Sequence, residues 1–284
     1  VLRHPLLIAV GLTLLAHASL AEEQPLKQDW DYVPAMQVVA KKFKGREGVV
    51  IHIGDSITLA NPYGQWARGG KGRTEDDLAL LKWMHLGADD DSDGWWLART
   101  DLPGGRSYTA AGGLRMDELL RGGHGDHPTL DKLLELYRPQ IAVLMLGTND
   151  ISAGRRVDDY RRDVEQAVDK LLGSGCICIL STIPPFPGKQ KQSSEYNDAL
   201  RKLAADHKLP LIDYEREILK RRPDDWNGTL LNKDDPHPTA GNDKVNSASE
   251  PTAENLRTSG YLLRGWLSVK KIGEVKKGVI DGVK

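Results

Sequence analysis

The sequence is nearly without cysteine. Cys176 and Cys178 are the only two among 284 residues. They sit two apart in an apolar run, where a strand points both to one face without the geometry for a bridge. No disulfide framework or cysteine metal site is implied, so stability has to come from a buried core. An excess of either charge is missing too. The formal net charge of −1 offers no basic surface for nucleic acid and no acidic tail. Internal repeats and low-complexity linkers are absent. The apolar run from Pro5 to about Leu15 is too short for a stable membrane span.

What is present is an ordinary globular composition, 39% hydrophobic and 28% charged, with enough material for one large domain. The first residues read as an export signal: Arg3 and His4 give a thin positive start, the Pro5–Leu15 run follows, and Ser19-Leu20-Ala21 resembles a small-x-small cleavage site. Residues 1–21 are then a signal peptide and 22–284 a single secreted or periplasmic domain. A buried N-terminal helix is the alternative.

Apolar β-branched runs alternate with helical spacings along the rest. Asp31 to Lys44 has helical periodicity, with Pro34 in its first turn. Val49 to Ile53 reads as a buried strand. A long excursion, 59–107, follows; Thr74 caps a helix inside it, and such a connection is usually functional or structured. Tyr108–Ala111 suggests a short strand ending at Gly112-Gly113, and Met116 begins a helix. Thr129 caps another helix, which Pro139 ends. Ile141–Leu146 is an apolar strand, Val157–Leu172 an amphipathic helix, and Cys176–Ile183 a strand stopped by two prolines. Ser194–His207 reads as a helix, Leu209–Asp213 as a short strand, and Glu254 to about Lys271 as a helix interrupted by Gly260 and Gly265. This alternation predicts a three-layer α/β/α sandwich around a parallel sheet. Sheet order is not readable from sequence.

In such a sheet the strand ends emerge together at one edge, where ligands bind. Three of them carry polar or glycine-rich turns: Gly54-Asp55-Ser56, Gly112-Gly113 and Gly147-Thr148-Asn149-Asp150. A fourth polar stretch is Asp234-Asp235-Pro236-His237-Pro238. A serine hydroxyl becomes a nucleophile when a base takes its proton. His237 can be that base, and Asp234 can hold its tautomer and stabilise the cation that forms. Taken singly, Ser56 could equally be a helix cap and Asp234-Pro236-His237 a surface turn.

In combination, these four blocks resemble the SGNH hydrolases, the esterase and lipase superfamily also called GDSL. The resemblance covers roughly residues 48–240 and the final helix. It implies a flavodoxin-like SGNH fold and a triad of Ser56, Asp234 and His237. The implied oxyanion hole is the Ser56 N–H, the Gly113 N–H and the Asn149 amide. Gly112 is an alternative to Gly113, and Asp235 to Asp234. The final block departs from the family pattern, which often has a glycine after its aspartate where this chain has Asp235 and Pro236. The Ser107–Gly113 stretch is also an imperfect second block. The implied activity is hydrolysis of carboxylic esters through an acyl-enzyme, with no metal or organic cofactor. The partner is a small-molecule or polysaccharide ester, and export with Trp95-Trp96 leans toward acetylated carbohydrate, although the two tryptophans read first as core or lid anchors and second as a surface that stacks on a sugar ring. The rivals are a lipase or thioesterase on the same fold and a non-catalytic carbohydrate-binding protein.

Two patterns stand outside that scheme. Asp89-x-Asp91-x-Asp93-Gly94 matches the start of a calcium loop, but Thr100 stands where the bidentate glutamate belongs, so a solvated acidic turn is expected. Asn227-Gly228-Thr229 matches a glycosylation acceptor, meaningful only in a eukaryotic secretory pathway.

Overall fold

The computed structural model describes residues 23–95 and 109–283. The signal-peptide reading of residues 1–21, together with Trp96, Thr100, Ser107 and Tyr108, lies outside the described residues. A parallel sheet forms the centre, in the order β1 (Val50–Gly54), β2 (Ile141–Met145), β3 (Ile177–Ser181) and β4 (Leu211–Ile212). Val50 lies opposite Ile141, Ile141 opposite Ile177, and Leu180 opposite Leu211. Every residue of the four strands is buried, which is why they read as continuous apolar runs rather than alternating ones.

The α-helices are α1 (Val33–Ala40), α2 (Ser56–Leu59), α3 (Pro62–Gly69), α4 (Glu75–Trp83), α5 (Met116–Arg121), α6 (Leu130–Tyr137), α7 (Thr148–Ser152), α8 (Val157–Gly173), α9 (Gln190–Asp206), α10 (Tyr214–Arg221) and α11 (Gly260–Val275). They flank the sheet in two groups. One is built on α8, which packs on α5, α6, α9 and β3; the other on α11, which packs on α3, α4, α10 and β4. The fold is therefore the expected three-layer α/β/α sandwich.

Local chemistry explains the element ends. Thr74 and Asp77 form a reciprocal capping box at the start of α4. Asp77 also takes the Lys270 ammonium at 2.8 Å, tying α4 to α11. The two glycines in the last helix are there for close approach: a Cβ at Gly260 would lie 2.1 Å from the Leu230 carbonyl oxygen, and one at Gly265 would lie 2.8 Å from that of Tyr63. That helix starts later than its sequence suggests, because Ser259 caps it through the Leu262 N–H and Asn255–Arg257 is a separate 3-10 turn. Among the described residues, the expected strand before Gly112 is a single parallel bridge, Gly54 to Ala110. Likewise β4 is only two residues long. Cys176 and Cys178 are buried free thiols, and burial pushes Cys178 up to about 12.

Part of the 59–107 excursion docks on the core. Trp95 is completely buried, its ring 4.3 Å from that of His52 and 5.2 Å from that of Tyr63. His52 bonds the Tyr63 hydroxyl and the Gly94 carbonyl, both at 3.0 Å. Burial pushes this imidazole down to about 3, so it is a neutral core residue. Trp95 is therefore an anchor, not a platform for a sugar ring.

Candidate active site

The nucleophile candidate is set by the end of β1. Gly54 is required there, since a Cβ would meet Thr58 Oγ1 at 2.0 Å and the Met145 carbonyl oxygen at 2.9 Å. Asp55 then turns the chain. Its carboxylate accepts from the Ile57 N–H at 3.0 Å and caps the short helix α2, whose first residue is Ser56. From below, the buried Arg264 of α11 donates to the Ile57 carbonyl and to Thr58 Oγ1, both at 2.8 Å. Its guanidinium lies 3.8 Å from the Tyr63 ring centroid.

Ser56 Oγ lies 2.7 Å from His237 Nε2. On the far side of the ring, Nδ1 lies 2.5 Å from Asp235 Oδ1, which also accepts the His237 N–H at 2.7 Å. A carboxylate at Nδ1 puts the imidazole proton there and leaves Nε2 free to accept the serine proton. Burial raises the Asp235 carboxyl, but the hydrogen bonds from the His237 backbone and ring outweigh it. The net shift is downward, so Asp235 stays ionised.

The expectation that Asp234 faces the imidazole is not met. Asp234 adopts left-handed backbone, φ +59, which turns its side chain away from the ring. Its N–H donates to Asn227 Oδ1 at 2.8 Å, and its carboxylate accepts from Asn227 Nδ2 at 3.1 Å. The neighbour that sequence reasoning ranked second, Asp235, takes the place against the ring. The Asn227 amide, part of the Asn-Gly-Thr triplet, is occupied in the same pairing.

Of the remaining expected residues, Gly112 lies beside the serine and Asn149 reaches the neighbouring Asp55. A Cβ on Gly112 would lie 4.0 Å from that of Ser56, and Gly113 has φ +82, a conformation that favours glycine. Among the described residues, no acceptor is found for the Ser56 or Gly113 N–H. Asn149, on α7 after β2, is part of the same cluster. Its amide nitrogen bonds Asp55 Oδ2 at 3.2 Å and the Leu114 carbonyl at 3.3 Å.

Sequence reasoning gave no role to several groups here. Asp55 is buried, and burial pushes it up to about 6 against the opposing effects of the Ile57 N–H, Arg264 and His237. Asp150 accepts the Met116 N–H and the Arg155 guanidinium, the latter at 2.5 Å; burial raises it despite those partners. Asp55 and Asp150 lie inside motifs the sequence displays. Arg264 carries no comparable local signal.

The acidic turn near Asp91 satisfies itself. Asp91 pairs with Arg46 at 2.7 Å, Asp93 with Arg68 at 3.2 Å and with the Gly87 and Trp95 N–H groups, and Asp90 with the Ser92 N–H. No group of three or more metal-ligating side chains occurs among the described residues.

A serine, an imidazole and a carboxylate in hydrogen-bonded series, at the carboxyl edge of a parallel sheet in an α/β/α sandwich, form the constellation of a serine hydrolase. The GDSL-like lipase/acylhydrolase family model matches residues 52–241. The chain belongs to that family, whose members are carboxylic ester hydrolases. No curated protein sequence matches it. Similar solved structures include a catalytic mutant of an acetylxylan esterase from Geobacillus stearothermophilus, 16% identical with a TM-score of 0.48, covering 79% of this chain and 93% of that one. A psychrotrophic esterase from a Pseudoalteromonas species is 18% identical with a TM-score of 0.46, covering 80% and 98%. A lipase/acylhydrolase from Enterococcus faecalis is 18% identical with a TM-score of 0.45, covering 79% and 94%.

Proposed function

We propose that this chain is an exported serine esterase in which Ser56 is the nucleophile, His237 the general base and Asp235 the residue that orients it. The observation that carries the reading is the continuous series of Asp235 Oδ1, His237 Nδ1, His237 Nε2 and Ser56 Oγ, with contacts of 2.5 and 2.7 Å. His237 Nε2 takes the Ser56 proton as Oγ attacks the ester carbonyl. The resulting imidazolium, held by Asp235, protonates the departing alkoxide and leaves an acyl-enzyme. Water, deprotonated by the same nitrogen, then releases the acid. The Ser56 and Gly113 N–H groups are the oxyanion donors. Asn149 joins them by giving up its bond to the Leu114 carbonyl.

For the substrate we propose an acetyl ester carried by a carbohydrate outside the cytoplasm. The export signal read in residues 1–21 supports this, as does the exposure of the site, with the His237 and Asp235 side chains 35% and 48% accessible. No described helix is long and apolar enough to cross a membrane. The test is a series of aryl esters of increasing acyl length alongside acetylated polysaccharide, read by release of phenol or acetate. Preference for acetyl with release from the polysaccharide supports the proposal. Preference for long acyl chains makes the protein a lipase instead. A folded protein that cleaves none of them overturns the esterase reading.

A further inference from the structure

Beside the serine is a peptide unit held from the far side by a histidine outside the triad. His124 Nε2 lies 2.9 Å from the Gly112 carbonyl oxygen. A carbonyl only accepts, so Nε2 carries a proton. The other ring nitrogen lies 3.2 Å from Glu118 Oε2. An ionised carboxylate also only accepts, so the ring makes both contacts with a proton on each nitrogen. Glu118 is itself fixed, accepting the Arg115 N–H at 2.9 Å as part of the N-terminal box of α5. The Gly112 carbonyl and the Gly113 N–H belong to one planar trans peptide, so they point in opposite directions. A group that holds the carbonyl therefore sets the direction of the N–H. Among the described residues, the chain is otherwise pinned at either side, by Ala111 N–H to the Gly54 carbonyl at 3.1 Å, by Leu114 N–H to the Ala111 carbonyl at 3.2 Å and by the Asn149 amide at the Leu114 carbonyl. Between these anchors are two glycines, which have the widest choice of backbone conformations. A two-glycine segment free to rotate would aim its N–H at the oxyanion only part of the time.

We infer that His124, oriented by Glu118, is a positioning residue that locks the Gly112–Gly113 peptide with its N–H toward the developing oxyanion. The inference rests on the esterase reading above. Among the described residues, His124 makes no hydrogen bond to Ser56 or His237, and it takes no proton in the reaction. Its contribution is the preorganisation that makes an oxyanion donor effective without reorganising during the reaction.

The test compares His124→Leu and His124→Gln with the native protein on one aryl acetate, normalised to sites titrated by an aryl phosphonate and checked for melting temperature. The donor is worth more in the transition state than in the substrate complex. We therefore expect His124→Leu to lower kcat by about tenfold to a hundredfold, below the full loss of an oxyanion donor, with KM changed less than about twofold. Affinity for a boronic acid that mimics the tetrahedral adduct should fall in parallel with kcat/KM. His124→Gln, which keeps an N–H donor, should recover part of the loss. Native kcat per titrated site in the leucine variant overturns the inference. So does a fall confined to KM or to the fraction of titratable sites, or an equal loss in both variants with lowered melting temperatures. A native protein with no ester turnover overturns the esterase reading first, which is a separate result from active native protein with an unaffected His124 variant.

Discussion

The two halves of the site are built in opposite ways. Ser56 stands on a buried platform: β1 behind it, Asp55 capping its helix, Arg264 beneath, and Trp95 and His52 packed into the adjoining core. His237 and Asp235 hang on a surface loop. That loop is held by a few backbone bonds, such as Asn232 N–H to the His237 carbonyl at 2.9 Å and Thr239 N–H to the Leu230 carbonyl at 2.9 Å, and by the Asn227 clasp on Asp234. The nucleophile side is fixed by packing, which changes cooperatively with the fold. The base side is fixed by local hydrogen bonds, which can be altered one at a time. Damage to the first should therefore register as stability, and damage to the second as rate.

The Ser56 hydroxyl is the exception on the buried side, because it is chemical and not structural. Ser56→Ala should lower kcat by about four orders of magnitude or more with an unchanged melting temperature. Near-native turnover by the folded variant would dismiss the serine mechanism. Trp95→Ala tests the platform itself. Removing a fully buried tryptophan should cost about 3–5 kcal/mol, read by urea unfolding. A loss below about 1 kcal/mol would mean that the excursion does not anchor the β1 side.

Asp55 adds a pH signature to the same side. Its folded-state pKa of about 6 stands above the ordinary 3.8. Between those values the folded protein binds more protons than the unfolded chain, so this group's contribution weakens stability as pH rises. The difference is on the order of 3 kcal/mol once both states are ionised. Asp55→Asn should therefore flatten the dependence of unfolding free energy on pH between 4 and 7, relative to the native protein. Parallel profiles for the two proteins would contradict that account. The smallest structural effect is expected on the exposed side. Asn227→Ala should leave the unfolding free energy within about 1 kcal/mol, as for most exposed hydrogen bonds, while kcat/KM falls several-fold as the loop loosens. A large stability loss with unchanged rate would reverse the comparison.

The same contrast explains what could be read from sequence. The β1, β2 and β3 strands, the glycine at Gly54 and the serine after it were legible because burial on both faces leaves an unbroken apolar signature. The helices α2, α7 and α10 were not, being short and started by single caps or turns instead of an extended periodicity. Asp213, for example, caps α10 through the Arg216 N–H at 3.3 Å. The carboxylate that lies against His237 is Asp235, one residue from the expected Asp234. Motif spacing presumes a regular turn before the histidine, whereas Asp234 takes left-handed backbone and pairs with Asn227. That pairing comes from seven positions away and has no local signature. His124 was likewise silent, because its importance depends on which carbonyl it meets across a glycine-rich loop.

Which aspartate serves His237 is decided by kcat/KM on one aryl acetate for Asp234→Asn and Asp235→Asn, each checked for folding by circular dichroism. An asparagine at the orienting position favours the wrong imidazole tautomer, so Asp235→Asn should lose about a hundredfold or more, while Asp234→Asn should change only a few-fold through its clasp on Asn227. A crippled Asp234→Asn beside a near-native Asp235→Asn would contradict the geometry described for this site.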